Sequence, residues 1–221
     1  MTCRDRVIFM LTNLWLYTLH PRLLWAARRR HGWWPNVARP ESISERMWWR
    51  KFVDRSPLHV TFADKLATKE YIRARCPELA IPRTLWAGTD AADIPDDVLR
   101  GDVYVKTNNG CSFNYRIRGG AVDRAQLKKT TDRWMKYRFG KEHGEWAYWP
   151  IEPKLFVEEA IGDVEAGLLE LQVRAGWGEC ILGLVLGYAK TPRRWAVYVD
   201  EDGRAKTGGE AEVAGFRLEV A

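Results

Sequence analysis

The chain is short of the patterns that would settle its class at once. It has four cysteines in 221 residues, Cys3, Cys76, Cys111 and Cys180, with no close pair among them. That spacing offers neither a zinc site nor a disulfide framework, so a reducing compartment, the cytoplasm, is the default expectation. No apolar run reaches the roughly 20 residues that a membrane span requires. The longest attempt, Val7 to Leu19, is interrupted by Asn13 and Thr18 and followed by His20, Pro21 and Arg22. A small-residue cleavage site is missing as well, and a secretory signal is not expected. Nor does any DNA- or RNA-reading motif accompany the positive charge, so nucleic acid is not an expected partner.

What is present is apolar, basic and rich in tryptophan. A hydrophobic content of 46% is ample for a core, in one large domain or two small lobes. The net charge of +6 favours acidic partners such as nucleotide phosphates, anionic polysaccharides or a membrane surface. Twelve tryptophans are unusual for this length. Most are expected to fill a core or an interface, and a minority to stack on sugars or bases.

The first third reads as helical. Two helices are predicted over Asp5–Leu19 and Pro21–Arg30, with proline at the first turn of the second. Arg28, Arg29 and Arg30 then suit the negative end of its dipole. From Arg22 to Arg55 nine Lys or Arg face three acids, interleaved with five tryptophans. Such a surface can dock an inner membrane leaflet or an anionic polymer. It reads equally as a tryptophan-cored helical layer with solvated arginines. Ser42 and Glu45 have the spacing of a capping box, opening a helix to about Val53. Asp64 is a plausible cap for a helix from Lys65 to about Arg75, with Lys65 and Lys69 on one side.

The stretch Gly101–Gly120, GDVYVKTNNGCSFNYRIRGG, carries the most chemistry. A short strand through Lys106 leads into a polar loop, Thr107-Asn108-Asn109-Gly110-Cys111-Ser112. A second strand through Tyr115 and Ile117 follows, closed by a Gly-Gly turn. Lysine is a point-charge phosphate binder, and backbone N–H groups of a glycine-containing loop can approach phosphate oxygens. An ordinary hairpin with a solvated lysine fits the same residues. Around this unit are Leu79–Trp86, read as an edge strand because of Pro82, a short helix over Asp93–Leu99, and a helix over Val122–Phe139. Lys154–Ile161, KLFVEEAI, is a strand carrying two carboxylates, and adjacent carboxylates on a strand point to opposite faces. Further strands are expected between Leu168 and Val199, with turns at Trp177-Gly178-Glu179, Thr191-Pro192 and Asp200–Gly203.

Taken in order, Pro40–Cys76, VYVKTNNGCSFNY and Gly144–Asp163 resemble the ATP-grasp superfamily. Within it they look like the TupA-like branch associated with bacterial surface-polymer (teichuronopeptide) biosynthesis. The resemblance spans roughly residues 20 to 200. It implies an α+β fold with a helical lead over 1–60, a nucleotide-binding lobe over 61–157, and a shortened β-rich second lobe with the hinge over 158–221. It implies ATP and Mg2+ as cofactors and ligation of a carboxylate to an amine. Lys65 and Lys106 would contact phosphates, and Asn108, Asn109, Gly110, Cys111 and Ser112 would cover them. Glu158, Glu159, Ala160 and Ile161 would form the hinge that holds adenosine.

The chain also departs from that pattern. Gln172 stands where the family usually has a lysine, and the loop after Lys106 keeps one glycine where relatives have two. No asparagine follows Asn114, although the family's last strand supplies a Glu and an Asn to the metal. Asp200-Glu201-Asp202-Gly203 reads as a turn in preference to a metal cage, so no metal ligand is assigned. Two functional classes therefore stand: an ATP-dependent ligase-like enzyme, and a non-catalytic protein that binds nucleotide or docks through its basic, tryptophan-rich lead.

Overall fold

A computed structural model describes residues 2–162, 169–176, 179–187, 195–200 and 202–204. By contacts the chain divides into two units, Met1–Glu159 and Ala160–Ala221, with the helical lead belonging to the first. Each is mixed or β-rich, and the class is α+β.

The first unit opens with α1 (Cys3–Leu19) and α2 (Pro21–His31). Helix α1 starts two residues before the predicted Asp5 because Thr2 and Asp5 form a capping box. Helix α2 begins on Pro21 and stops at Gly32, whose φ of 81° ends the helix in the left-handed region. In α3 (Ile43–Phe52) the expected capping box is present: Glu45 N–H donates to Ser42 Oγ at 3.2 Å, and Ser42 N–H donates to Glu45 Oε2 at 2.9 Å. The same carboxylate accepts from Asn36 N–H (2.7 Å) and Glu41 N–H (2.9 Å), which pins the 32–42 connection over the helices. Leu16, Leu24, Val37 and Phe52 form the small core beneath it.

Two helices follow, α4 (Pro57–Ala63) and α5 (Lys65–Arg75), and then a four-stranded antiparallel sheet. Its strands are β1 (Thr84–Gly88), β2 (Val103–Thr107), β3 (Asn114–Ile117) and β4 (Leu155–Glu159), in the order β1-β4-β2-β3. The edge strand expected near Pro82 is β1, beginning after the proline and carrying an irregularity between Thr84 and Trp86. The region 93–99 forms separate single turns at Ala91–Asp93 and Asp97–Leu99, not one helix. Pro95 falls between them, and proline has no N–H to continue a helix. Helix α6 (Arg124–Lys136) is shorter than its basic pattern predicts, because Asp123 caps it and Tyr137 leaves it extended.

The sheet has two unlike faces, set by the period-two alternation of its strands. Val103, Val105, Ile117, Leu155 and Val157 point to the core shared with Leu127 of α6 and with Ala91, Ile94 and Leu99. The alternate residues Tyr104, Lys106, Phe156 and Glu158 lie on the other face, the one that α5 reaches through Lys69.

The second unit contains a three-stranded antiparallel sheet of β5 (Leu169–Gly176), β6 (Glu179–Gly187) and β7 (Trp195–Val199), in that order. The turn residues Trp177 and Gly178, and Thr191-Pro192, lie outside the described residues. At Asp200–Gly203, where Glu201 lies outside them too, the expected turn is present. Asp200 Oδ1 accepts the N–H groups of Asp202 (3.1 Å) and Arg204 (2.9 Å).

Candidate functional site

Four charged side chains gather on the face of the first unit's sheet that α5 reaches. Lys106 on β2 pairs in register with Phe156, two residues before Glu158 on β4, so Lys106 and Glu158 are diagonal neighbours on one face. Their side chains form an ion pair through Glu158 Oε1. The other oxygen, Oε2, accepts from Lys69 Nζ at 2.6 Å. Lys69 donates as well to Pro82 O (2.9 Å) and Thr84 Oγ1 (3.2 Å), so its ammonium is fully partnered although it is 9% exposed. One turn earlier on α5, Lys65 Nζ donates to Gly110 O at 2.5 Å.

The loop next to them is fastened by Asn108, which is 1% exposed. Its Nδ2 donates to Asp64 Oδ2 and to Glu152 O, each at 3.0 Å. Its Oδ1 accepts from Lys154 N–H at 2.8 Å, and its own N–H donates to Lys154 O at 2.9 Å. Its carbonyl accepts Lys65 N–H at 2.9 Å. Asp64, meanwhile, caps α5 by accepting from Leu66 and Ala67 N–H. One amide thus ties the start of α5, the end of β2 and the lead into β4. Its side chain has both amide hydrogens and its oxygen engaged within the protein, so Asn108 positions the loop.

Beyond it the loop turns on Gly110, at φ 92°. A Cβ there would lie 2.9 Å from Phe139 and 3.1 Å from Phe113, so conformation and space both require glycine. Ser112 sits at φ 63°, a left-handed conformation uncommon for a residue with a side chain. Cys111 and Ser112 are exposed, while Asn109 is buried and Thr107 Oγ1 donates to its carbonyl at 2.5 Å.

The electrostatics favour an anion. Burial pushes the Lys65 ammonium below its ordinary pKa, the nearby Cys111 sulfur opposes that drop, and the charge of Lys106 adds to it. A negative ligand beside Lys65 and Lys106 would relieve both effects.

The sequence-derived site residues divide accordingly. Lys106 contacts Glu158, and Lys65 contacts Asn108 and Gly110, with Asn109, Cys111 and Ser112 in the same loop. Glu159 points away from the lysines: its carboxylate accepts from Arg83 N–H (2.9 Å) and Nε (2.8 Å). Arg83's backbone and guanidinium hold it below the usual carboxylate range. One carboxylate of the pair therefore joins the cluster, as strand alternation requires. Ala160 and Ile161 follow β4 at the start of the second unit, and Ile161 is exposed. Gln172 on β5 donates to Glu170 Oε1 at 2.8 Å.

The sequence reading assigned no role to Lys69, although its four-residue spacing from Lys65 was the available signal. It also missed a cavity of about 290 Å³ lined by Asn109, Arg138, Phe139, Lys141, Tyr148 and Trp149, among others. Its residues come from a segment without regular periodicity. Arg138 and Lys141 make no ion pair among the described residues.

No protein-family model, no curated protein and no solved structure matches this chain.

Proposed function

We propose that this chain binds a nucleoside triphosphate, ATP by its resemblance to the ATP-grasp superfamily, at the lysine cluster between α5 and the first sheet. The reading extends to an ATP-dependent carboxylate–amine ligase-like role in surface-polysaccharide assembly. The observation that carries it is the pairing of Lys69 and Lys106 on Glu158 with Lys65 close by on Gly110 O, beside a loop that turns on a glycine. Three ammonium groups against the carboxylates of Glu158 and Asp64 leave a local excess of positive charge, which suits phosphate oxygens.

The residues fit the group. Lys65 and Lys106 would hold phosphates, and Glu158, now neutralising Lys106, would release it to an incoming anion while keeping Lys69. The exposed Cys111-Ser112 segment would cover the phosphates. When bound, ATP supplies a transferable γ-phosphoryl group. Among the described residues no three His, Cys, Asp or Glu converge on a metal position, so Mg2+ has no assigned ligands. The neighbouring cavity, with Arg138 and Lys141 making no ion pair among the described residues and lying beside the rings of Tyr148 and Trp149, suits an anionic co-substrate with a face to stack.

Thermal unfolding tests this directly. Saturating ATP with Mg2+ is expected to raise Tm by about 5 °C. The rise should vanish in Lys106→Ala and in Lys65→Ala. Equal stabilisation of wild type and both variants would remove the lysine cluster as the binding site. Turnover with a uronic acid and an amino acid then separates an enzyme from a binding protein.

A further inference from the structure

Helix α1 carries two apolar faces separated by polar residues such as Asp5, Arg6 and Asn13, and only one of them is covered. Inward it offers Leu16, 1% exposed, and Tyr17, whose hydroxyl donates to Pro35 O at 2.6 Å. Outward, on a 3.6-residue period, Met10, Leu14, Val7, Leu11, Trp15 and Ile8 form one continuous arc. They are 45–62% exposed, and Arg4 and Thr18 are the polar residues within the arc. A contiguous apolar arc of this width on a helix ordinarily lies against a partner or a core.

The surrounding charge selects what covers it. The first forty residues hold seven arginines, no lysine and one acid, Asp5. That surplus of six equals the +6 of the whole chain, so the remainder is balanced. On α2, Trp25 is 54% exposed with the Arg29 guanidinium 4.7 Å from its ring. The Arg28 guanidinium lies 5.9 Å from the ring of Trp34, which is also exposed. At the polar margin of the arc, Arg6, Asn13 and Asn36 line a cavity of about 330 Å³ together with Met10.

We infer that α1 and α2 form a docking surface for an anionic phospholipid bilayer, with α1 lying in the plane of the interface. An apolar face flanked by arginine and tryptophan, and attracted to acidic headgroups, is the pattern of an interfacial helix. The alternatives fit less well. A second copy would bring two surpluses of positive charge face to face, and an anionic polysaccharide would satisfy the arginines and leave the leucines bare. Spanning is excluded for this helix by length and polarity: among the described residues none is long and apolar enough to cross a membrane. This inference is independent of the nucleotide site.

Flotation of the full chain with lipid vesicles decides it. Binding is expected to vesicles of equal parts phosphatidylcholine and phosphatidylglycerol, weakened by salt, and not to phosphatidylcholine alone. The double variant Leu11→Glu/Leu14→Glu should lose partitioning roughly a hundredfold. Its Tm should stay unchanged, because both side chains are exposed. As a check that needs no charge on the helix, brominated acyl chains should quench wild-type tryptophan fluorescence, and Trp15→Phe should reduce that quenching. Absence of binding to the acidic vesicles, or undiminished binding by the double variant, overturns the inference. So does a wild-type dimer in light scattering that the double variant dissolves, because the arc then belongs to a second copy.

Discussion

Glu158 is held between Lys106 and Lys69, one ammonium on each carboxylate oxygen. The first comes from the neighbouring strand and the second from α5, so this carboxylate joins sheet to helix. Removing a partner from a buried pair leaves uncompensated charge, and the loss is about 3 kcal/mol. Glu158→Ala is therefore expected to lower unfolding free energy by about that amount in urea titrations. Inorganic phosphate should restore part of the loss, because an anion then stands where the carboxylate stood. A variant indifferent to phosphate would show that the lysines have no room for one.

Lys65 gives a pH signature. Its folded-state pKa lies below its unfolded value, chiefly because of burial. The unfolded chain then binds the proton more tightly, and stability rises as pH climbs from the folded to the unfolded pKa. Lys65→Met should abolish that alkaline rise and hold neutral-pH stability near or above wild type. Urea midpoints at neutral pH and near the lysine range measure both effects.

Glu45 acts at the other end of the scale. Burial alone would raise its pKa, but backbone N–H groups of Ser42, Asn36 and Glu41 and the Ser42 hydroxyl lower it overall. A lowered carboxylate contributes stability above its unfolded pKa and loses it as pH falls through the folded one. Glu45→Gln is expected to cost about 2 kcal/mol at neutral pH and to flatten the acid limb of the stability profile.

Two glycines separate conformation from space. Gly110→Ala meets Phe139 and Phe113 at a positive φ, whereas Gly119→Ala, at φ 54°, meets nothing within 4 Å. The first should cost about 3 kcal/mol and the second about 1 kcal/mol. Equal losses in thermal melts would show that the aromatic wall gives way.

Cys111 offers a chemical probe. In a Cys3→Ser/Cys76→Ser background, maleimide labelling of Cys111 should be slowed by ATP, with the modified peptide identified by mass spectrometry. Labelled protein should lose its ATP-dependent rise in Tm, since the adduct occupies the space beside Lys65. Unaltered labelling with ATP present would place the nucleotide elsewhere.

Local signals carried most of the fold. Ser42 and Asp64 cap helices where short-range rules place them, and alternation in β2 and β4 assigns the two sheet faces. The site was partly legible for the same reason: Lys106 and Glu158 stand at strand positions whose direction alternation dictates. The role of Asn108 was not, because its partners Asp64, Glu152 and Lys154 are distant in sequence and only the tertiary fold brings them together. The 137–151 segment was opaque for another reason. Its aromatic residues pack on one another, as Phe139 does on Tyr148 with centroids 4.8 Å apart, and ring packing leaves no period in the sequence.

The loop that begins at Asn108 is closed again at its far end, where Thr107 N–H donates to Phe113 O at 3.3 Å. It is a small ring of chain with both ends fastened, too short to swing like a flap. Any adjustment to a guest must come from rotating individual peptide planes around Gly110 and Ser112. If the proposed anion sits there, it would be selected by the direction in which those amides point, with the rest of the sheet left in place.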